Sequence, residues 1–122
     1  MKVKATREGL VGDETASGYK IDRIVSFVAL PSTRALHLFV RVTNPLNGKS
    51  TIAQVLDVGP WSEQDDAYVF DGARPLAESD RKVDRNHNEI SGQTNGAGID
   101  LGEAVWKALE MLDNGIVDWS FV

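Results

Sequence analysis

Alternation of apolar and polar positions is the clearest regularity along this chain. Leu38, Val40 and Val42 alternate with Phe39, Arg41 and Thr43, the two-residue period of a half-buried strand. Ile52-Ala-Gln-Val-Leu-Asp57-Val repeats that period, and Gly59-Pro60 then stops it, because proline has no ladder N–H and glycine tolerates unusual dihedrals. Between the two runs lies Asn44-Pro-Leu-Asn47-Gly48-Lys, and Asn-Gly suits the positive φ angles of a tight turn. Residues 38–58 are therefore expected to form a β-hairpin with Asn47-Gly48 at its tip. Lys2 to Thr6 predicts a short first strand, Ile24 to Leu30 another closed by Pro31, and Val117, Trp119 and Phe121 a last one. Gly9 to Gly18, rich in Gly, Thr, Ser and acids, predicts a loop.

A different period governs residues 101–112. Leu101, Val105, Ala108, Leu109 and Leu112 fall on one helical stripe, Asp100-Leu-Gly-Glu103 fits a capping box, and Asn114-Gly115 suits a helix end, so a helix is expected over 102–112. Trp61 to Gly98 shows neither period. It is polar, acidic and rich in turn residues, and residues 62–94 are expected to lie outside the core as an irregular insertion. Several short strands with one helix predict a mainly β domain, a small barrel or sandwich closed by that helix. Trp106 and Trp119, in the helix and the last strand, are expected in or near the core.

Composition narrows the function classes. The 122 residues make one domain, and 42% hydrophobic content supports a folded core. A net charge of −5 argues against a nucleic-acid groove, which needs clustered cations. With no cysteine, thiolate metal sites and disulfides are excluded. No apolar run reaches membrane-spanning length, and the Met1-Lys-Val-Lys-Ala-Thr start is too short for a signal peptide, so the chain reads as a cytoplasmic protein or as a domain of a longer exported one.

Candidate chemistry centres on carboxylates. Asp57 closes an apolar strand beside Gly59-Pro60, where a carboxylate can do chemistry or simply cap a turn through its backbone N–H groups. Asp100 can act beside it, the pair supplying an acid and a helper carboxylate for glycosidic cleavage, or can serve as a helix cap. Trp61, Tyr68 and Phe70 flank the insertion; aromatic faces can stack on the C–H faces of sugar rings, or pin the insertion to the barrel. Asp84-Arg-Asn86-His-Asn88 has oxygen donors at alternate positions, like the first half of a calcium loop, but Glu89 stands where the turn glycine belongs, so a solvated turn is the reading there and no metal is assigned. His37 and His87 have no partner at ligand spacing, and no nucleotide-binding or nucleophile-elbow motif occurs, so no cofactor is expected.

Four stretches, in this order, resemble the RlpA-like family of double-psi β-barrels, related to barwin, expansins and family-45 endoglucanases. Thr15-Ala-Ser-Gly18 with Asp22 is similar to that family's Thr-Ala-Ser-Gly-Glu-x-x-Asp opening. Val40-Arg-Val-Thr-Asn44 with Asn47-Gly48-Lys-Ser50 is similar to its central hairpin, Val55-Leu-Asp57-Val-Gly-Pro-Trp61 to its Val-x-Asp-x-Gly-Pro-Phe motif, and Ile99-Asp100-Leu-Gly102 to its Ile-Asp-Leu-Ser segment. The resemblance implies a six-stranded double-psi β-barrel in which Asp57 and Asp100 face a polysaccharide groove, with Tyr19, Asp22, Trp61 and Tyr68 as substrate-binding positions. It implies peptidoglycan or another cell-wall polysaccharide as partner and a periplasmic or envelope location. It also implies lytic-transglycosylase chemistry, in which an acidic residue (Asp57 first, Asp100 in support) protonates the glycosidic oxygen while a sugar hydroxyl closes an anhydro ring. Departures from the pattern are Tyr19 in place of Glu, no histidine near Phe27 to Leu30, Val58 in place of Arg, and the long segment between Asp57 and Asp100. A fold hosts many functions, so a non-catalytic polysaccharide-binding module and a protein-interaction domain using the acidic insertion stand as alternatives. An Asp57 bonded only to backbone groups would favour the last.

Overall fold

A computed structural model describes residues 1–8 and 12–122. Eight strands are present: β1 (Lys2–Arg7), β2 (Phe27–Leu30), β3 (Phe39–Thr43), β4 (Ser50–Val58), β5 (Arg81–Val83), β6 (Glu89–Ser91), β7 (Ile99–Leu101) and β8 (Gly115–Phe121). Six of them close into a barrel in the order β1-β7-β2-β4-β3-β8, while β5 and β6 form a separate antiparallel hairpin. Two pairs in the barrel, β1/β7 and β2/β4, are parallel and the others antiparallel. Parallel neighbours need long crossovers, so each such pair joins residues far apart in sequence. Residues 9–11 of the expected Gly9–Gly18 loop lie outside the described residues.

The expected hairpin is present, with Thr43 opposite Ser50, Gly48 at φ 75° and the Gly48 N–H donating to Asn44 O at 2.8 Å. Alternation puts Val3, Ala5, Val28, Leu30, Val40, Val42, Val55, Ile99, Leu101, Val117 and Trp119 into one core inside the barrel. A smaller apolar cluster, Ile21, Phe27 and Leu56 with Tyr19 against it, lies where the segment after Gly12 covers the wall made by β2 and β4. β2 is shorter than expected: Ile24 and Val25 are exposed, and Ile24 and Val25 N–H groups are taken by the Asp22 side chain.

Three expectations fail, each for a packing reason. The helix over 102–112 is only α2 (Glu103–Ala108), and Asp100 is a strand residue in β7 rather than a helix cap. Ile99 and Leu101 both enter the core, and the bonding of β7 to β1 and β2 overrides the helical stripe. Gly102 takes the N-cap position without a side-chain cap; a Cβ there would stand 2.6 Å from the Phe27 ring, so the approach of β7 to β2 requires glycine. The helix also ends early. Leu109 O, which a longer helix would offer to residue 113, accepts instead from Asn44 Nδ2 and Asn47 Nδ2, both at 3.0 Å, and Leu112 is 98% exposed.

Residues 62–94 are not wholly outside the core. They contain α1 (Asp66–Asp71), a 3-10 turn at Leu76–Ser79 and the β5–β6 hairpin. Tyr68 and Val69 on α1 join the barrel core. Tyr68 is 1% exposed; its hydroxyl donates to Gly98 O at 2.9 Å and accepts from Trp119 Nε1 at 2.8 Å. Phe70 stacks on Phe121, pinning α1 to β8. Only the later half of the segment, around the hairpin, stands outside.

Candidate functional site

The backbone register sets the site. Ala29 of β2 pairs with Asp57 of β4 on one side and Asp100 of β7 on the other, and Asp100 pairs in turn with Thr6 of β1. These four residues form a row across the wall. Because Val28, Leu30, Ile99, Leu101 and Ala5 point inward, alternation turns Ala29, Asp100 and Thr6 to the outer face. Asp57 would face the other way but for an irregularity: Val28 pairs with Val55 and Ala29 with Asp57, so Leu56 is bulged out of register. The bulge re-aims Asp57 to the face that carries Asp100, two strands away at about 4.8 Å per strand.

Thr6 Oγ1 donates to Asp100 Oδ1. Glu8, two residues beyond Thr6 on the same face, is tied down by its own N–H donating to Leu101 O at 2.7 Å. Its Oε2 is sealed from solvent and has no hydrogen-bond partner among the described residues. Burial, then the charges of Asp100 and Asp57, push the Glu8 carboxyl from 4.5 up to about 8. Burial also pushes Asp100 up to about 6, with Asp57 adding to the rise and the Thr6 hydroxyl opposing it. No ion pair among the described residues reaches any of the three. Three acidic side chains from three remote segments thus share one patch without a cation. Burial and mutual repulsion thus bias Glu8 and Asp100 toward their protonated forms.

Asp57 itself acts as an acceptor. Its Oδ1 takes the Ala16 N–H at 2.8 Å and the Val58 N–H at 2.9 Å, so the turn-cap reading describes its own hydrogen bonds. Through Ala16 it also anchors the covering segment. Tyr19 and Asp22 belong to that segment. The Tyr19 ring stands edge-on to Phe27 with centroids 5.4 Å apart, and burial followed by Asp22 raises its phenol to about 12. Asp22 Oδ1 accepts from Ile24 and Val25 N–H at 2.8 and 3.0 Å, which holds its carboxyl below the usual range. Both therefore hold the cover in place.

Trp61 follows the cis Gly59-Pro60 bond and is 42% exposed. It lines a pocket of about 290 Å³ with Val58, Gly59, Glu63, Lys82 and Ile90, so the pocket begins one residue past Asp57 and its far wall is the β5–β6 hairpin. Tyr68, expected as a second ring platform, is corrected to a core residue: its buried hydroxyl, held far up by burial, bridges Trp119 and Gly98 and no sugar can reach its face. Asp84 forms the expected turn, its Oδ1 accepting from Asn86 and Asn88 N–H at 2.8 and 2.9 Å.

Sequence reading missed Glu8. The signal was there: Val3 and Ala5 alternate with Lys2, Lys4 and Thr6, and one further step of that polar face is Glu8. What the sequence could not supply was the pairing of β1 with β7, which brings that face to Asp100.

The closed six-strand barrel with its two parallel pairs is a double-psi-like fold, and known structures share it. Streptomyces papain inhibitor (SPI) matches at 18% identity with a TM-score of 0.53, covering 100% of this chain and 93% of that one. Cerato-platanin 3 from M. perniciosa (MpCP3) matches at 12% identity with a TM-score of 0.54, covering 100% and 94%. Such distant likeness carries the fold alone. Residues 1–120 match the family model described as a domain of unknown function (DUF8814), and the chain belongs to that family. No curated protein matches it. No helix of the described residues is long and apolar enough to cross a membrane.

Proposed function

We propose that this barrel acts on a cell-wall glycan, with peptidoglycan as the substrate that the RlpA-like resemblance favours, and that it works in the bacterial envelope. The observation that carries the reading is the uncompensated cluster of Glu8, Asp57 and Asp100. Grouped, half-buried acids with raised pKa values oppose folding, and such arrangements concentrate at catalytic sites. The proton donor is Glu8 rather than Asp57, because Asp57 is the acceptor of two N–H groups while Glu8 holds its proton at neutral pH. In that reaction the Glu8 proton passes to the glycosidic oxygen as its bond to the anomeric carbon breaks. A hydroxyl of the same sugar closes onto that carbon, and its proton passes to Asp57. Glu8 thereby takes the acid role that the resemblance gives to Asp57.

The test is soluble-product analysis after incubating the domain with purified peptidoglycan. Anhydro-sugar products are expected, and Glu8→Gln should reduce their formation by roughly 10²–10⁴-fold while sedimentation with the insoluble glycan persists. Absence of products from the wild type would end the enzymatic reading. The Ala16 and Val58 N–H groups held by Asp57 favour a second reading, a protein-interaction domain, and the papain inhibitor among the fold's neighbours fits a protein partner; a glycan-binding module stands as the other alternative. Retention on peptidoglycan without cleavage would select glycan binding, and no retention would select a protein partner.

A further inference from the structure

The pocket behind Trp61 has features that the acidic cluster does not explain. Lys82 Nζ lies 5.4 Å from the Trp61 ring centroid, and a methyl on Gly92 would stand 3.4 Å from the same nitrogen, so the ammonium is held between the indole and the Gly92 backbone. The indole N–H donates to Asn95 Oδ1 at 2.8 Å, which fixes the ring plane. Two carboxylates line the same pocket, Glu63 and Asp84. Glu63 holds the Arg85 guanidinium through both oxygens, at 3.0 and 3.3 Å, and Asp84, which has no cation of its own, accepts the N–H groups of its turn. Lys82 has no carboxylate within ion-pair distance among the described residues. The pocket therefore offers one exposed aromatic face, an apolar edge at Ile90 and one uncommitted cation.

We infer that this pocket is a subsite for a sugar ring bearing a carboxylate, the ring lying against Trp61 and the carboxylate pairing with Lys82. An aromatic face takes the C–H side of a pyranose, and an ammonium without an ion-pair partner beside it selects an anionic substituent over a neutral one. The pocket lies at the end of β4 that follows Asp57, lined by Val58 and Gly59 and by none of the three acids. The inference rests on the glycan reading above and adds the substrate's charge. A carboxylate of this kind occurs as the lactyl ether of muramic acid or as the C6 acid of a uronic sugar.

Calorimetric titration with three probes tests it: neutral chitotetraose, the GlcNAc–MurNAc tetrasaccharide and tetragalacturonate. One or both acidic probes should bind about tenfold or more tightly than chitotetraose at low salt, and which one does so identifies the source of the carboxylate. Lys82→Gln should abolish that preference, bringing the acidic probes to the affinity of chitotetraose, and Trp61→Ala should weaken all binding by roughly tenfold. Equal affinity for the three probes, a preference that survives Lys82→Gln, or no binding of any probe would overturn the inference. Lys82-dependent selection without cleavage of peptidoglycan would sink only the enzymatic reading. Cleavage that is lost in Glu8→Gln but accompanied by no acid preference would sink only the subsite.

Discussion

Acidic residues receive opposite treatment in two regions of this molecule. In the 62–94 segment three carboxylates are answered by arginines of the same segment: Glu63 by Arg85 at 3.0 Å, Glu78 by Arg74 at 2.6 Å, Glu89 by Arg81 at 2.6 Å, whereas Asp65, buried at the start of α1, has no ion pair and is raised by its burial. Arg85 and Arg81 hold Glu63 and Glu89 below the usual range, and the Asn88 N–H does the same for Asp84. On the outer wall, Glu8, Asp57 and Asp100 gather with no cation, and two of them are pushed up. The chain has 13 Lys and Arg against 18 Asp and Glu, so cations are not scarce. The difference lies in how the regions are assembled. A hairpin pairs residues near in sequence, and charge complementarity is settled within a few positions. The barrel pairs residues 94 positions apart in β1/β7 (Thr6 with Asp100), 28 apart in β2/β4 (Ala29 with Asp57) and 71 apart in β2/β7 (Ala29 with Asp100), and here that long-range pairing brings acid to acid.

The largest expected effect divides the segment itself. Replacing Gln64 to Gln93 with a short Gly-Ser bridge removes Tyr68, Val69 and Ala77 from the buried set. That variant should show no cooperative thermal transition by circular dichroism. Replacing only the hairpin tip, Arg85 to Asn88, by Asn-Gly should leave Tm within roughly 3 °C of wild type. A cooperative melt in the long deletion would mean that the whole segment is dispensable, as its polar sequence first implies.

Next in size is the pH dependence of stability. In the unfolded chain Glu8 and Asp100 titrate near 4.5 and 3.8; in the fold they titrate near 8 and 6. Between those values the folded state binds more protons than the unfolded one, so stability falls as pH rises from about 4 to 8. The cost at pH 8 is on the order of a few kcal/mol, chiefly from Glu8. Glu8→Gln should flatten the Tm profile over this range and raise Tm at pH 8 by roughly 5–10 °C. The paired acids work the other way, losing their contribution as pH falls below about 4, where their carboxylates protonate. A wild-type Tm that is flat or rising between pH 5 and 8 would contradict the contrast between the regions.

Tyr68→Phe comes third. Losing the hydroxyl leaves Gly98 O and Trp119 Nε1 without their buried partner, at a cost of about 1–3 kcal/mol. Glycan retention should not change, whereas a sugar platform at Tyr68 would show weaker retention with Tm intact.

How much of this was legible follows from the range of the interactions. The β3–β4 hairpin was readable because alternation and the Asn47-Gly48 turn are local. Asp57 and Asp100 were found through short motifs, but their surroundings were not. The Leu56 bulge leaves no mark in a two-residue period, and Glu8 enters the cluster only through the β1–β7 pairing. The capping box at Asp100 misled for a related reason: Ile99-Asp-Leu101 satisfies a helix start and a buried strand equally well, and the barrel decides between them. Tyr68 was taken for a surface residue because its polar neighbours Asp65, Asp66 and Asp71 conceal a single helical turn with one apolar face.

The smallest expected effect is also a fair trial of the contrast. Arg85 holds Glu63 in a bidentate pair, yet Arg85 is largely exposed, and such pairs are screened by water and salt. Arg85→Gln should therefore cost less than about 1 kcal/mol, a Tm change near the error of a melt. Its more telling consequence lies in the pocket. Freed from the Arg85 guanidinium, the Glu63 carboxylate becomes a second unpaired anion, with Asp84, in the pocket that Lys82 lines, and it competes with an acidic sugar for the ammonium. Preference for the acidic tetrasaccharides should then fall several-fold at low salt and recover in part as salt screens Glu63. Double substitution Glu63→Gln with Arg85→Gln should restore the preference, because the competing carboxylate is gone. A large loss of stability in Arg85→Gln would show that the segment's ion pairs hold the fold, contrary to their exposure. An unchanged preference would show that Glu63 does not share a field with Lys82.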